Sequence, residues 1–327
     1  MSDQSLRSIL GIAAFLLVSC FLGGQTREEA PPSPPPARPT APLPLTAAQR
    51  AALEQALKSR DYKSAEKLLV AEIEANPKSP ELLKFAASVF FLDGEYLNTA
   101  IALKKAEALA PLDNPSRFTL ALAYIILNHR DWARPELETL VKSDPRNALY
   151  PYWLGRIDYD AMQFTSAVAN FQKALALDPA YMKTYDNLGL CYEALGQYDE
   201  AIKTYEQAIR LNREKAQPSP WPPVNLGTLL VKLGRLEEAE SALLESLRYD
   251  PRFPQARYQM GLLLEKQKKD NEAVAQLKLA AEFKPNYAEP HYVLGRIYKR
   301  QGDIKNAELA WATFQKLKRE NPRERPH

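Results

Sequence analysis

Side chains able to do covalent or metal chemistry are scarce in this 327-residue chain. It carries three histidines, His129, His291 and His327, and two cysteines, Cys20 and Cys191. None of these falls at a metal-ligand spacing, and two cysteines cannot build a disulfide framework. Cys191 reads as a packed thiol. No glycine-rich phosphate loop or nucleophile elbow is present. The acidic pairs Glu28-Glu29 and Glu237-Glu238 read as solvated faces. Forty-three basic residues nearly cancel forty acidic ones, for a net charge of +3, which advertises no nucleic-acid surface. The expectation is a protein that is not an enzyme and needs no cofactor and no metal. The chemistry left is recognition, by large aromatic, arginine and amide side chains: Phe91, Phe118, Ile125, Tyr152, Arg156, Tyr159, Asn187, Trp221, Asn225, Tyr258, Gln259, Tyr292 and Arg296.

The elements that must hold these residues are clearest in the stretch from Met182 to Glu214. With Met182 as position 1, Tyr185, Leu188, Gly189 and Tyr192 fall at positions 4, 7, 8 and 11, one face of a helix. Gly196 at position 15 ends that helix, and Tyr198 plugs the turn. Ala201, Tyr205 and Ala208 at positions 20, 24 and 27 form the inward stripe of a second helix. Small residues at 8, 20 and 27 let the two helices approach closely. Such a hairpin has more apolar surface than it can bury alone, so it needs neighbours.

The same pattern recurs every 34 residues, with one four-residue slip at Ala216–Ser219. The units are 46–79, 80–113, 114–147, 148–181, 182–215, 220–253, 254–287 and 288–321. Six of the eight place proline at position 32 (Pro77, Pro111, Pro145, Pro179, Pro251, Pro285), where it stops the second helix. Leu53 stands where glycine is usual, which suits an end cap. Pro135 sits early in the second helix of the third unit and predicts a late start or a kink there. A 34-residue period with these residues resembles the tetratricopeptide repeat. The resemblance covers 46–321 and implies an all-α solenoid of about eight helix-turn-helix units, wound as a right-handed superhelix.

In that family positions 2, 5, 9 and 12 of the first helix line a concave groove that holds a partner peptide. The recognition residues above occupy those positions, apart from Asn187, Asn225 and Gln259 at position 6. With Lys84, Leu122, Leu149, Leu190, Val224, Val231 and Leu262 they make an apolar, aromatic stripe. Some of these, the leucines above all, could equally pack against the next unit. An amide can donate to and accept from an extended backbone, and the run at position 6 resembles the asparagine ladder of O-linked N-acetylglucosamine transferase repeats. The Lys/Asn clamp for an acidic C-terminus is missing, since Lys84 is followed by Ser88 at position 9. The expected partner is a protein or peptide, bound by a non-enzymatic scaffold. The alternative is a self-assembling factor for an envelope complex of outer-membrane or pilus type, a role that resemblance to tethered repeat proteins makes plausible.

Residues 1–24 have the layout of a secretory signal, with Arg7 ahead of an apolar run from about Ile9 to Leu22. Leu17-Val18-Ser19-Cys20 resembles a bacterial lipobox, which implies lipidation of Cys20 and a membrane tether. Cleavage after Gly24 and an uncleaved anchor stay open, although the run falls short of the ~18 residues expected of a spanning helix. All three readings place the chain outside the cytoplasm, in the periplasm or cell envelope. Residues 25–45 are a proline-rich linker, a semi-rigid polyproline spacer. Residues 322–327 form a polar tail.

Overall fold

The computed structural model describes residues 42–320. Cys20, the apolar run around it, the linker up to residue 41 and the tail from residue 321 lie outside the described residues. Among the described residues there are sixteen α-helices and no strand. These are α1 (Ala47–Ser59), α2 (Tyr62–Ala75), α3 (Pro80–Leu92), α4 (Tyr96–Leu109), α5 (Asn114–Ile126), α6 (Arg130–Ser143), α7 (Leu149–Asp160) and α8 (Phe164–Leu177). There follow α9 (Met182–Ala194), α10 (Tyr198–Arg213), α11 (Trp221–Leu233), α12 (Leu236–Tyr249), α13 (Pro254–Lys266), α14 (Asp270–Phe283), α15 (Glu289–Arg300) and α16 (Ile304–Glu320).

The described chain forms two compact units, 42–161 with α1 to α7 and 162–320 with α8 to α16. Within each unit consecutive helices pack side by side. First helices of successive hairpins also touch: α3 meets α5, and in the second unit α9, α11, α13 and α15 follow one another. This is a helical-repeat solenoid in which every helix finds its apolar contacts locally.

Chain chemistry explains where each helix starts and stops. Thr46 opens α1 with a capping box, its hydroxyl accepting from the Gln49 amide while the Gln49 side chain accepts from the Thr46 N–H. The six second helices followed by proline at position 32 are all 14 residues long. The two without it, α10 and α16, run to 16 and 17 residues. Proline has no N–H and restrains the residue before it, so it sets the length. Pro135 behaves differently from expectation. Helix α6 begins at Arg130, in register with its counterparts, and continues through the proline.

The turn between the paired helices is more uniform than its sequence. Position 15 has positive φ in all eight pairs, at Arg60, Gly94, Asn128, Met162, Gly196, Gly234, Lys268 and Gly302. Only four of these are glycine, the residue that adopts this conformation without strain. The packing on either side therefore overrides local preference at Arg60 and Lys268.

The four-residue slip is a clamped loop. Asn212 is fully buried; its Nδ2 donates to the Ser219 carbonyl and its Oδ1 accepts from the Ser219 N–H, both at 2.8 Å. One amide side chain thus closes the loop as a backbone pair would. The Ser246 hydroxyl adds a 2.8 Å bond to the Pro220 carbonyl.

Close approach within each pair rests on position 8. A Cβ placed on Gly189 would lie 2.5 Å from the Tyr205 ring, and one on Gly295 would lie 2.4 Å from Trp311. At Gly227 and Gly261 it would meet Leu243 and Leu277 at 2.7 Å. Position 24 thus fills the space that position 8 leaves empty. Gly189→Ala should lower stability by about 1–3 kcal/mol through overpacking. That is opposite in sign to the ~1 kcal/mol that alanine gains over glycine in helix propensity. Urea unfolding of the two proteins measures the sign.

Candidate partner-binding face

The first-helix stripe divides into a buried and an open part. Phe91 and Tyr152 are each 4% exposed, Phe118 is 3% exposed, and Arg156 and Asn225 are also buried. The expectation that these five line a continuous open trough is corrected: they lie within the packing. Phe91 sits edge-on to Tyr96 at 5.2 Å, Phe118 to Tyr150 at 5.5 Å, and Tyr152 to Trp153 at 5.5 Å. Asn225 donates to the buried Asp186 carboxylate at 2.6 Å, bridging α11 and α9. Leu122, Val224 and Val231 are likewise buried.

The physical reason is clearest at position 5, which points across to the next hairpin. Lys84 there is buried and pairs with Glu81 and with Asp113, the residue just before the next first helix. Phe118 meets Tyr150 of α7, and Tyr258 meets Tyr287 just ahead of α15 at 5.3 Å. Tyr292 has the same position in the last described pair, where no described hairpin follows. It is 48% exposed, and its ring packs against Phe314 of its own partner helix at 5.4 Å.

In the first unit the stripe keeps Ile125 and Tyr159 half-buried. The second unit holds the longer open row. Asn187, Trp221, Tyr258 and Gln259 are half-buried on α9, α11 and α13, while Tyr292 and Arg296 are exposed on α15. Trp221 is steadied edge-on by Phe253 at 4.9 Å. The Asn187 amide donates to the Lys183 carbonyl of its own helix at 2.7 Å. Gln259 alone of the three position-6 amides makes no hydrogen bond among the described residues. Asn187, Asn225 and Gln259 therefore differ in availability, and only part of the anticipated ladder faces outward.

Sequence reasoning missed the carboxylates that organise this face. Glu265, buried at position 12 of α13, receives a bidentate hydrogen-bonded pair from Arg296, one arm at 3.0 Å, and a further contact from Arg300 at 3.3 Å. Asp270 takes the remaining Arg300 nitrogens at 2.7 and 3.0 Å, which holds its pKa below the usual carboxylate value. The signal available was an arginine 30 to 35 residues after an acid, one repeat on. His291, half-buried on α15, is pushed below its ordinary pKa by desolvation and so is neutral at pH 7.

Among the described residues the one grouping of potential metal ligands is Glu66, Asp93 and Glu95. The Lys63 ammonium lies among them, 3.3 Å from Glu66, 2.5 Å from Asp93 and 2.8 Å from Glu95. A cation therefore already sits within that cluster. Cys191 is buried, as a packed thiol is.

Burial raises the Tyr258 hydroxyl to about 12, with the Glu289 charge adding to the effect. A raised folded-state pKa means that the neutral phenol is favoured by folding. That stability is complete below pH ~10 and is lost as pH rises towards about 12. Tyr258→Phe should flatten part of the stability loss between these limits in an alkaline unfolding series; an unchanged profile would show the hydroxyl to be hydrated.

Comparison with known proteins agrees with this geometry. One tetratricopeptide repeat model matches residues 184–215, and a second matches 118–181 and 224–288. No relative is found among curated protein sequences. Among solved structures the chain is similar to PilW, a widely conserved type IV pilus biogenesis factor, at 21% identity and a TM-score of 0.56, covering 64% of this chain and 94% of that one. It is also similar to pilF of Pseudomonas aeruginosa, at 23% identity and a TM-score of 0.54, covering 64% and 92%. A third likeness is to the Cut9–Hcn1 assembly of the APC/C, at 19% identity and a TM-score of 0.53, covering 78% of this chain and 49% of that one. At these identities the structures speak for the fold alone. Paired helices that stack within each unit, small residues where the helices cross and matching repeat models together make the chain a tetratricopeptide repeat protein.

Proposed function

We propose that the chain is a non-enzymatic interaction scaffold whose second-unit first-helix face holds a peptide or helical segment of a partner protein. The observation that carries this reading is the row Asn187, Trp221, Tyr258, Gln259, Tyr292 and Arg296 on four neighbouring helices, incompletely covered by their own fold. Tyrosine, tryptophan and arginine dominate interface energetics, and the polar tips of the tyrosines suit a half-wet surface. Ile125 and Tyr159 form a smaller patch of the same kind in the first unit. A photocrosslinking residue at Gln259 should trap a discrete partner in intact cells. Tyr292→Ala should then weaken binding of that partner by ~2 kcal/mol, about thirtyfold, with helical content unchanged. Crosslinks to a second copy of this chain instead would favour self-assembly, and unchanged affinity would remove this face from the interface.

We further propose that this scaffold works in the bacterial cell envelope, tethered through a lipid on Cys20, with residues 25–45 as spacer. The lipobox-like Leu17-Val18-Ser19-Cys20 supports the tether. The resemblance in fold to a type IV pilus biogenesis factor is compatible with such a setting. Labelled palmitate should be incorporated by the native chain and not by Cys20→Ser. Equal labelling of the two, or none in either, would overturn the lipid tether.

A further inference from the structure

We propose that the hairpin-turn edge of the last two helix pairs docks on an anionic phospholipid bilayer surface through Lys266, Lys268, Lys269, Lys299 and Lys305. All five are exposed, and among the described residues none makes a salt bridge to a carboxylate; Lys299 lies 5.8 Å over the Trp311 ring and the Lys268 charge helps to lower the Asp270 pKa. The two turns that carry them are held together. Arg300 bonds to Asp270, and the Gln301 amide donates to Asn271 at 3.2 Å. The nearest acids are already engaged: Glu265 by Arg296 and Arg300, Asp270 by Arg300, and Asp303 by capping the Asn306 N–H at 3.1 Å. Glu272 and Glu308 are exposed three residues after Lys269 and Lys305, and among the described residues neither makes a salt bridge with them.

Local folding physics accounts for two of these lysines and opposes the other three. Lys266 and Lys299 lie in the last turns of α13 and α15, where a cation complements the helix dipole. Lys268 occupies the left-handed position, φ 64°, that glycine fills in four other pairs. Lys269 is the N-cap of α14 with no side-chain capping bond, and Lys305 lies in the first turn of α16. Both cations face the positive end of a helix dipole. Three lysines placed against local stability on one edge point to a role outside the fold.

The chemistry favours a membrane surface over a bounded ligand. The lysines are exposed point charges at the hairpin turns, whereas the forked guanidinia nearby are already occupied by carboxylates. The preceding turn has no comparable excess, because Lys232 pairs with Glu193 and Arg235 with Glu238. A charge near an anionic leaflet contributes about fivefold in affinity, and the attraction fades within a Debye length.

The test uses the full chain, comparing its affinity for phosphatidylglycerol-containing vesicles with that for pure phosphatidylcholine vesicles. The ratio cancels what the N-terminal apolar segment contributes to both. The native chain should prefer the anionic vesicles, and added salt should abolish the preference. Lys266→Gln, Lys269→Gln, Lys299→Gln and Lys305→Gln together should lower the ratio by a hundredfold or more, at about fivefold per charge. Lys67→Gln with Lys105→Gln, on the first unit, should leave it unchanged. Equal affinity for the two vesicle types, or a quadruple variant that keeps its preference, overturns the proposal. So does lysine-dependent binding to polyglutamate without binding to anionic vesicles.

Discussion

The structure depends on how closely two helices of a pair can cross. Where position 8 is glycine, the ring or branched side chain at position 24 enters the space a Cβ would fill, as Tyr205 does at Gly189 and Trp311 at Gly295. A fixed crossing gives every pair the same turn, and that turn needs one residue in the left-handed region. Within each unit the packing enforces this even where the residue is arginine or lysine. Identical pairs then stack, each covering the apolar surface the previous one leaves over. Stability is a sum of neighbour contacts, and no central core is required.

Stacking has a consequence for recognition. The surface of a first helix that could face a partner is partly the surface that meets the next hairpin. Phe118 and Tyr258 meet Tyr150 and Tyr287 at that junction, and Phe118 is buried there, whereas Tyr292, with no described hairpin beyond it, stands open. Polar groups at these junctions are paired across repeats, as in Asn225 with Asp186, Arg213 with Glu245 and Arg296 with Glu265. A half-buried ion pair adds little net stability, but losing one partner is costly, so such pairs suit the setting of register between neighbours. What remains outward is a mixed row of aromatic and amide tips, well suited to gripping an extended or helical segment without a deep pocket.

The two edges of the second unit differ in electrostatic character. Along the inter-repeat edge, arginines are held by Glu245 or lie over the rings of Tyr249 and Phe283. On the hairpin-turn edge of the last pairs, lysines project from positions that local conformation disfavours. The chain's small net charge hides this asymmetry, because near-neutrality overall says nothing about how unpaired charges are distributed.

Much of the fold was legible in the sequence. The 34-residue period placed the helix pairs, proline at position 32 announced the 14-residue second helices, and the small-and-large alternation of Gly189 and Tyr205 announced their crossing. These are properties of one helix or one hairpin, and a single chain segment encodes them. The uninterrupted α6 and the left-handed Lys268 were less legible, since packing overrode the preferences of Pro135 and of a β-carbon. Which members of the aromatic stripe stay open was decided only by tertiary structure. Helical periodicity specifies the direction of a side chain about its own axis, but not how far the next hairpin reaches over it. Phe91, Tyr152 and Asn225 share helix positions with residues that remain accessible elsewhere, so helix position by itself does not separate the two groups.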